Sequence, residues 1–200
     1  MTKKHGIIFI IIGTVLFLSA MSLFLYNQYE DIQAGQKAEN MLTGVQDIIN
    51  EKKSDTSFQT DVSNTETLST ELPVIEIDGY EYVGCIDIPA LDLKLPVMSE
   101  WDYDRLKTAP CRQFGSSRTD NLVIAAHNYK KHFGYLSKLE IGDTVFFTDM
   151  DGIENTYKVS VVDTLMPTEV ERVQNSDYDL ILYTCTYDGK TRVTVFCNRL

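Results

Sequence analysis

The chain has 200 residues, with 18 Lys and Arg against 29 Asp and Glu and a formal net charge of −11. A surface that binds nucleic acid needs basic compensation for phosphate charge, so this balance excludes nucleic acid as a partner. The length allows for one compact domain beside a specialised terminus.

Residues 1–5 form a basic cytoplasmic end containing Lys3 and Lys4. An almost unbroken apolar stretch follows over 6–26, from Ile7, Ile8 and Phe9 through Val15, Leu16, Phe17 and Leu18. As helix it is long enough to cross roughly 30 Å of hydrocarbon. Positive residues favour the cytoplasmic side, and Glu30 and Asp31 beyond the span do not oppose export. The sequence therefore predicts a single-pass signal anchor in the cell membrane with the remainder extracellular. A cleaved signal peptide is the alternative, with Leu18-Ser19-Ala20 as a weak processing site. The apolar run continues past that point through Leu23, Phe24 and Leu25, which favours retention.

Residues 27–71 read as extracellular stalk and linker. The first part, 27–53, suits helix, with Ile32, Ala38, Met41, Val45 and Ile48 or Ile49 as a partial apolar stripe. The second, 54–71, is rich in Ser, Thr, Asp, Asn and Glu and contributes little core. The folded domain is then 72–200, about 125 residues, enough for its own core.

Inside that domain, residues 80–88, 93–98, 121–127, 144–148, 155–165, 179–185 and 191–197 carry strand patterns. Turns are expected at Ile88-Pro89-Ala90, at Glu140-Ile141-Gly142-Asp143 and at Asp151-Gly152. Short helices are expected over 103–107 and 133–139. Many short strands with few helices predict an all-β fold, a closed or nearly closed barrel.

Two strand ends carry the chemistry. Cys185 closes the run Asp-Leu-Ile-Leu-Tyr-Thr-Cys, and an Asp188-Gly189 pair beyond it favours a tight hairpin. With those two residues as the loop, Tyr187 pairs with Lys190, Thr186 with Thr191 and Cys185 with Arg192, which puts thiol and guanidinium on one face. His127 closes another apolar run, Asn-Leu-Val-Ile-Ala-Ala-His, and is the best placed base, whereas His132 belongs to the polar insertion after it.

Blander readings compete. A lone strand cysteine is usually a small buried hydrophobe, and an exposed hairpin arginine is often only solvated. An exported chain tends to pair spare thiols, so Cys85, Cys111, Cys185 and Cys197 are all disulfide candidates. The hairpin register sets Cys197 on the face opposite Cys185, so a bond between those two fights strand geometry. Neither Cys-x-x-Cys nor His-Glu-x-x-His occurs, and zinc held by His127, His132 and Cys185 is a minor alternative.

The reactive reading is that Cys185 attacks as thiolate, that His127 accepts and returns the proton, and that Arg192 binds the oxygen that becomes negative. With ordinary pKa values only a minority, on the order of 1 %, is thiolate with imidazolium near pH 7.

These residues resemble the sortases, membrane-anchored cysteine transpeptidases of Gram-positive bacteria. The resemblance rests on Leu182-Tyr183-Thr184-Cys185 followed by Arg192, on Asn121 through Asn128 around His127, and on Ile86-Asp87-Ile88-Pro89-Ala90 through Val97. It implies an eight-stranded β-barrel with short helices, with Cys185 as nucleophile, His127 as acid/base and Arg192 as stabiliser of substrate and oxyanion, and with no cofactor and no metal. It further implies partners: surface proteins or pilins bearing a Leu-Pro-x-Thr-Gly-like sorting motif, cut after Thr, and an amine of peptidoglycan precursor or pilin that receives the acyl group. Two departures are visible. Nothing after Arg192 resembles the second anchor of the pilin-polymerising branch, and Ala126 stands where glycine commonly precedes the histidine. A hydrolytic cysteine peptidase with water as acceptor is the runner-up, and a non-enzymatic wall-binding domain the third reading.

Overall fold

The computed structural model describes residues 3–58 and 69–200. Most of the linker expected over 54–71 lies outside the described residues. The chain divides into two compact units, Met1–Gln33 and Ala34–Leu200. The first proline is Pro73, so no ring interrupts the hydrogen-bond ladder of α1, Lys3–Phe58. In the first unit its large apolar side chains, Ile7 through Leu25, are exposed, and it is long and apolar enough to cross a membrane.

In the second unit α1 is amphipathic. Ala34, Ala38, Val45 and Ile49 recur at helical spacing on one face and are buried. Val45 and Ile49 pack with Tyr82, Met98, Cys111 and Met150 on the outside of the barrel. The compact unit thus reaches back to Ala34, into the segment read from sequence as stalk.

The strands are β1 (Ile75–Ile77), β2 (Tyr80–Ile88), β3 (Leu93–Met98), β4 (Cys111–Phe114), β5 (Leu122–Ala125), β6 (Thr144–Asp149), β7 (Glu154–Leu165), β8 (Leu180–Cys185) and β9 (Arg192–Arg199). Their order is β1-β2-β3-β4-β5-β8-β9-β7-β6, and β6 pairs back onto β2. Because β1 pairs with β2 alone, the closed ring contains eight strands, the number that the resemblance implies. Closure depends on Gly84, which faces Asp149 with φ +153; a Cβ there would lie 2.1 Å from the Thr148 carbonyl oxygen.

The seven expected strands are all present, with ends shifted by at most a few residues. Two short ones, β1 and β4, lacked a readable pattern, as did the single-turn α2, Glu171–Gln174. The helices expected over 103–107 and 133–139 are single 3₁₀ turns, Arg105–Lys107 and Leu136–Lys138. On β5 and β8, Leu122, Ile124, Leu180 and Leu182 fill the barrel, while Val123 and Ile181 join a second, outer cluster with Leu165 and Phe196. Both faces are covered, which is why these two strands read as continuous apolar runs.

Candidate active site

β8 runs between β5, parallel to it, and β9, antiparallel to it. The parallel register ends with Ala125 opposite Tyr183 and then continues through three further bonds. The Ala126 N–H donates to the Tyr183 oxygen at 3.2 Å, the Thr184 hydroxyl to the Ala126 oxygen at 2.8 Å, and the Asn128 amide to the Thr186 oxygen at 3.4 Å. The neighbours of His127 are thereby tied to the neighbours of Cys185. On the other flank Cys185 is the direct cross-strand partner of Arg192. Of the three residues singled out in the sequence, Cys185 ends β8, Arg192 begins β9, and His127 follows two residues after the end of β5, at the same end of the barrel.

The hairpin reaches that register by a different turn from the expected one. The Gly189 N–H donates to the Thr186 oxygen at 2.9 Å, so Tyr187 and Asp188 occupy the corner and Gly189 follows with φ +71. Tyr187 does not pair with Lys190; it is 94 % exposed. Thr186 and Thr191 close the loop through the Thr186 N–H and both hydroxyls. The Asp188 carboxylate accepts from the Thr186 hydroxyl at 2.7 Å and from the Lys190 N–H at 3.2 Å, which drives its pKa below the ordinary value.

Cys185 is exposed, whereas Cys85, Cys111 and Cys197 are buried, and all four are free thiols. Burial raises the thiol of Cys85 and pushes those of Cys111 and Cys197 up to about 12. Arg192 donates through Nη1 to the oxygens of Gly189 and Thr191, at 3.1 and 3.0 Å, which holds its head against the turn. Among the described residues, no group of three or more His, Cys, Asp and Glu side chains is arranged to hold a metal ion.

Side chains two apart on a strand share a face, so Tyr183 and Thr194 lie on the same side of the sheet as Cys185 and Arg192. With Arg192 they line a cleft of about 250 Å³. Its walls are Gln113 and Phe114 from β4 and the segment from Leu165 to Gln174. The Tyr183 phenol donates to Gln113 Oε1 at 2.5 Å; burial raises its pKa to about 12 although Arg192 works in the opposite direction. Of these cleft residues Arg192 alone was given a role from the sequence, though the alternation through Tyr183 and Cys185 was the available signal for a second.

His127 is half-buried, and the Tyr129 ring stacks on it with centroids 4.1 Å apart and planes 13° from parallel. His132, expected in a polar insertion, is fully buried and meets Tyr129 edge-on at 5.5 Å.

A closed barrel of this topology matches a known class. Residues 86–200, more than half of the chain, match the family model of the sortase domain, and the chain belongs to the sortase family. It is 27 % identical over 184 residues to sortase A of Bacillus anthracis, covering 89 % of this chain and 87 % of that one. Among solved structures, sortase C1 of Streptococcus suis superposes with a TM-score of 0.51 at 26 % identity over 60 % of this chain and 73 % of that one. A sortase D5 transpeptidase of Clostridium perfringens shares the fold at TM-score 0.61 and 19 % identity, covering 82 % and 99 %. Family membership supports a transpeptidase-like enzymatic role.

Proposed function

We propose that this chain is a cysteine transpeptidase that cuts a Leu-Pro-x-Thr-Gly-like sorting motif and joins the new carboxyl end to an amine of peptidoglycan precursor or pilin. The observation that supports the reading is the β5-β8-β9 register: Arg192 is the cross-strand partner of Cys185, and β5, parallel to β8 on the other flank, ends two residues before His127. In the first half-reaction the Cys185 sulfur, its proton taken by His127, adds to the motif's Thr carbonyl carbon. The oxygen that becomes negative is met by Arg192. The C–N bond then breaks, His127 returns the proton to the leaving amine, and a thioester remains. In the second half an acceptor amine attacks the thioester carbonyl, loses its proton to His127 and expels the Cys185 sulfur. The cleft over Tyr183 and Arg192 is the place proposed for the motif upstream of the cut. Residues 6–26 would anchor the enzyme, with the unit from Ala34 onward outside the cell, where wall and pilin amines are found.

Incubation with candidate sorting peptides, with and without candidate amines, tests this by mass spectrometry of the products. The expected result is a Thr-amine conjugate whose yield grows with amine concentration. Cleavage to the free acid alone, whatever the amine, would mean a hydrolytic peptidase. No cleavage of any motif peptide would overturn the enzymatic reading.

A further inference from the structure

We propose that Tyr129 is a positioning residue whose ring holds the imidazole of His127 in the orientation that serves Cys185. The inference rests on the proposed acid/base role of His127. His127 lies two residues beyond the end of β5, between Ala126 and Asn128, whose bonds to the β8 end hold the backbone there. Those bonds fix the main chain, and the orientation of the ring is a separate matter. The stack described above acts on the ring itself. With planes 13° from parallel and centroids 4.1 Å apart, the Tyr129 ring opposes a tilt of the imidazole out of the stacked plane.

The loop after His127 is built to keep that ring in place. The Phe133 N–H returns to the His127 oxygen at 3.2 Å, and the Tyr129 oxygen accepts from the N–H groups of His132 and Gly134, at 3.0 and 2.9 Å. Gly134 permits this closure, because a Cβ there would lie 2.6 Å from the Asn128 oxygen and 2.7 Å from that of Tyr129. The buried His132 ring also meets Tyr129, edge-on at 5.5 Å. Phe133 and Leu136 are fully buried in the barrel core, which ties the far side of the loop to the fold. Tyr129 is thus held by backbone bonds of its loop, by a buried ring and by the core beneath the loop, and its ring stacks on His127.

An orientation constraint of this kind changes rate without changing the groups that react. In the full-length chain in lipid nanodiscs, with ¹³C-labelled histidine, the His127 ring signals should carry the upfield displacement of a stacked ring. Y129F and Y129W should keep that displacement and acylate within about threefold of wild type, because either ring can stack. Y129A and Y129L should lose it and acylate about tenfold more slowly or worse, with KM for the motif peptide little changed. Urea unfolding of all four variants separates this from loss of fold, and Y129L keeps enough bulk to remain folded if Y129A does not. His127 signals unmoved in Y129L overturn the proposal whatever the peptide assays give. Moved signals with wild-type acylation in Y129L also overturn it, since the stack would then position nothing that matters. An H127A variant runs alongside. Wild-type acylation there would show that the acid/base role itself had failed, an outcome distinguishable from failure of the stack because the ring signals of the Tyr129 variants report on the stack alone.

Discussion

The buried hydroxyl of Thr184 donates to the carbonyl oxygen of Ala126 at 2.8 Å, a side-chain bond that replaces the next rung of the β5–β8 ladder. It joins the residue before Cys185 to the residue before His127. It is one of three bonds that hold the two strand ends together, beside those of the Ala126 N–H to the Tyr183 oxygen and the Asn128 amide to the Thr186 oxygen.

Replacing Thr184 with Val keeps the volume and removes the donor, leaving the Ala126 oxygen buried and unsatisfied. The expected cost is about 1–3 kcal/mol in urea unfolding. Acylation should fall further than stability predicts, because one of the three bonds that set the strand ends is lost, and T184S should recover both.

Arg192 distinguishes charge from geometry. Lysine keeps the positive charge and loses the planar fork, so R192K should fold normally and acylate more slowly. R192A removes both and should cost about 10²-fold or more in acylation rate, the scale for losing one oxyanion donor. Acylation kinetics with parallel thermal unfolding provide the check; near-wild-type rates in R192A would return the residue to surface solvation.

Thiol accessibility gives a prediction that needs no substrate. Cys185 is exposed while Cys85, Cys111 and Cys197 are buried, so iodoacetamide at pH 8 should add one carbamidomethyl group to the folded protein, on Cys185. The buried thiols should react only on unfolding. Their titration also fixes the sign of an alkaline effect. The Cys111 and Cys197 thiols are raised from an ordinary 9.0 to about 12, so the stabilisation from keeping them protonated is complete below pH 9 and is lost as pH rises toward 12. Tyr82 and Tyr183, raised from 10.0 to about 12, act in the same direction. Denaturant midpoints should therefore decline above about pH 9.

Barrel closure is tested at Gly84. A methyl group there meets the Thr148 carbonyl oxygen at 2.1 Å and occupies a backbone conformation with φ +153. G84A should cost about 3 kcal/mol from strain and overpacking together. An unchanged denaturant midpoint in G84A would mean that β2 and β6 do not close as described.

The legibility of the sequence follows from how local each constraint is. Cys185, Arg192 and their shared face could be read because hairpin parity needs only the sum of paired positions. That parity held even though the corner fell at Tyr187 and Asp188 instead of at Asp188 and Gly189. The strand β4 could not be read, since Cys-Arg-Gln-Phe has no alternation and its pairing with β3 is a single bridge, Met98 to Cys111. The segment 128–134 is polar by composition, yet buries His132 and Phe133 because its carbonyls are satisfied within the loop. The cleft wall over 165–174 depends on tertiary placement against Phe114 and Tyr183, which no local pattern encodes.

The central claim is that Cys185 carries the acyl group. Intact-mass measurement of the full-length protein, mixed with a cleavable sorting peptide and quenched in acid, tests it most directly. Wild type should gain the mass of the peptide up to its Thr, the adduct should map to Cys185 and be released by hydroxylamine, and C185A should stay folded with no adduct. An adduct that persists in C185A, or turnover by C185A at the wild-type rate, would contradict the assignment.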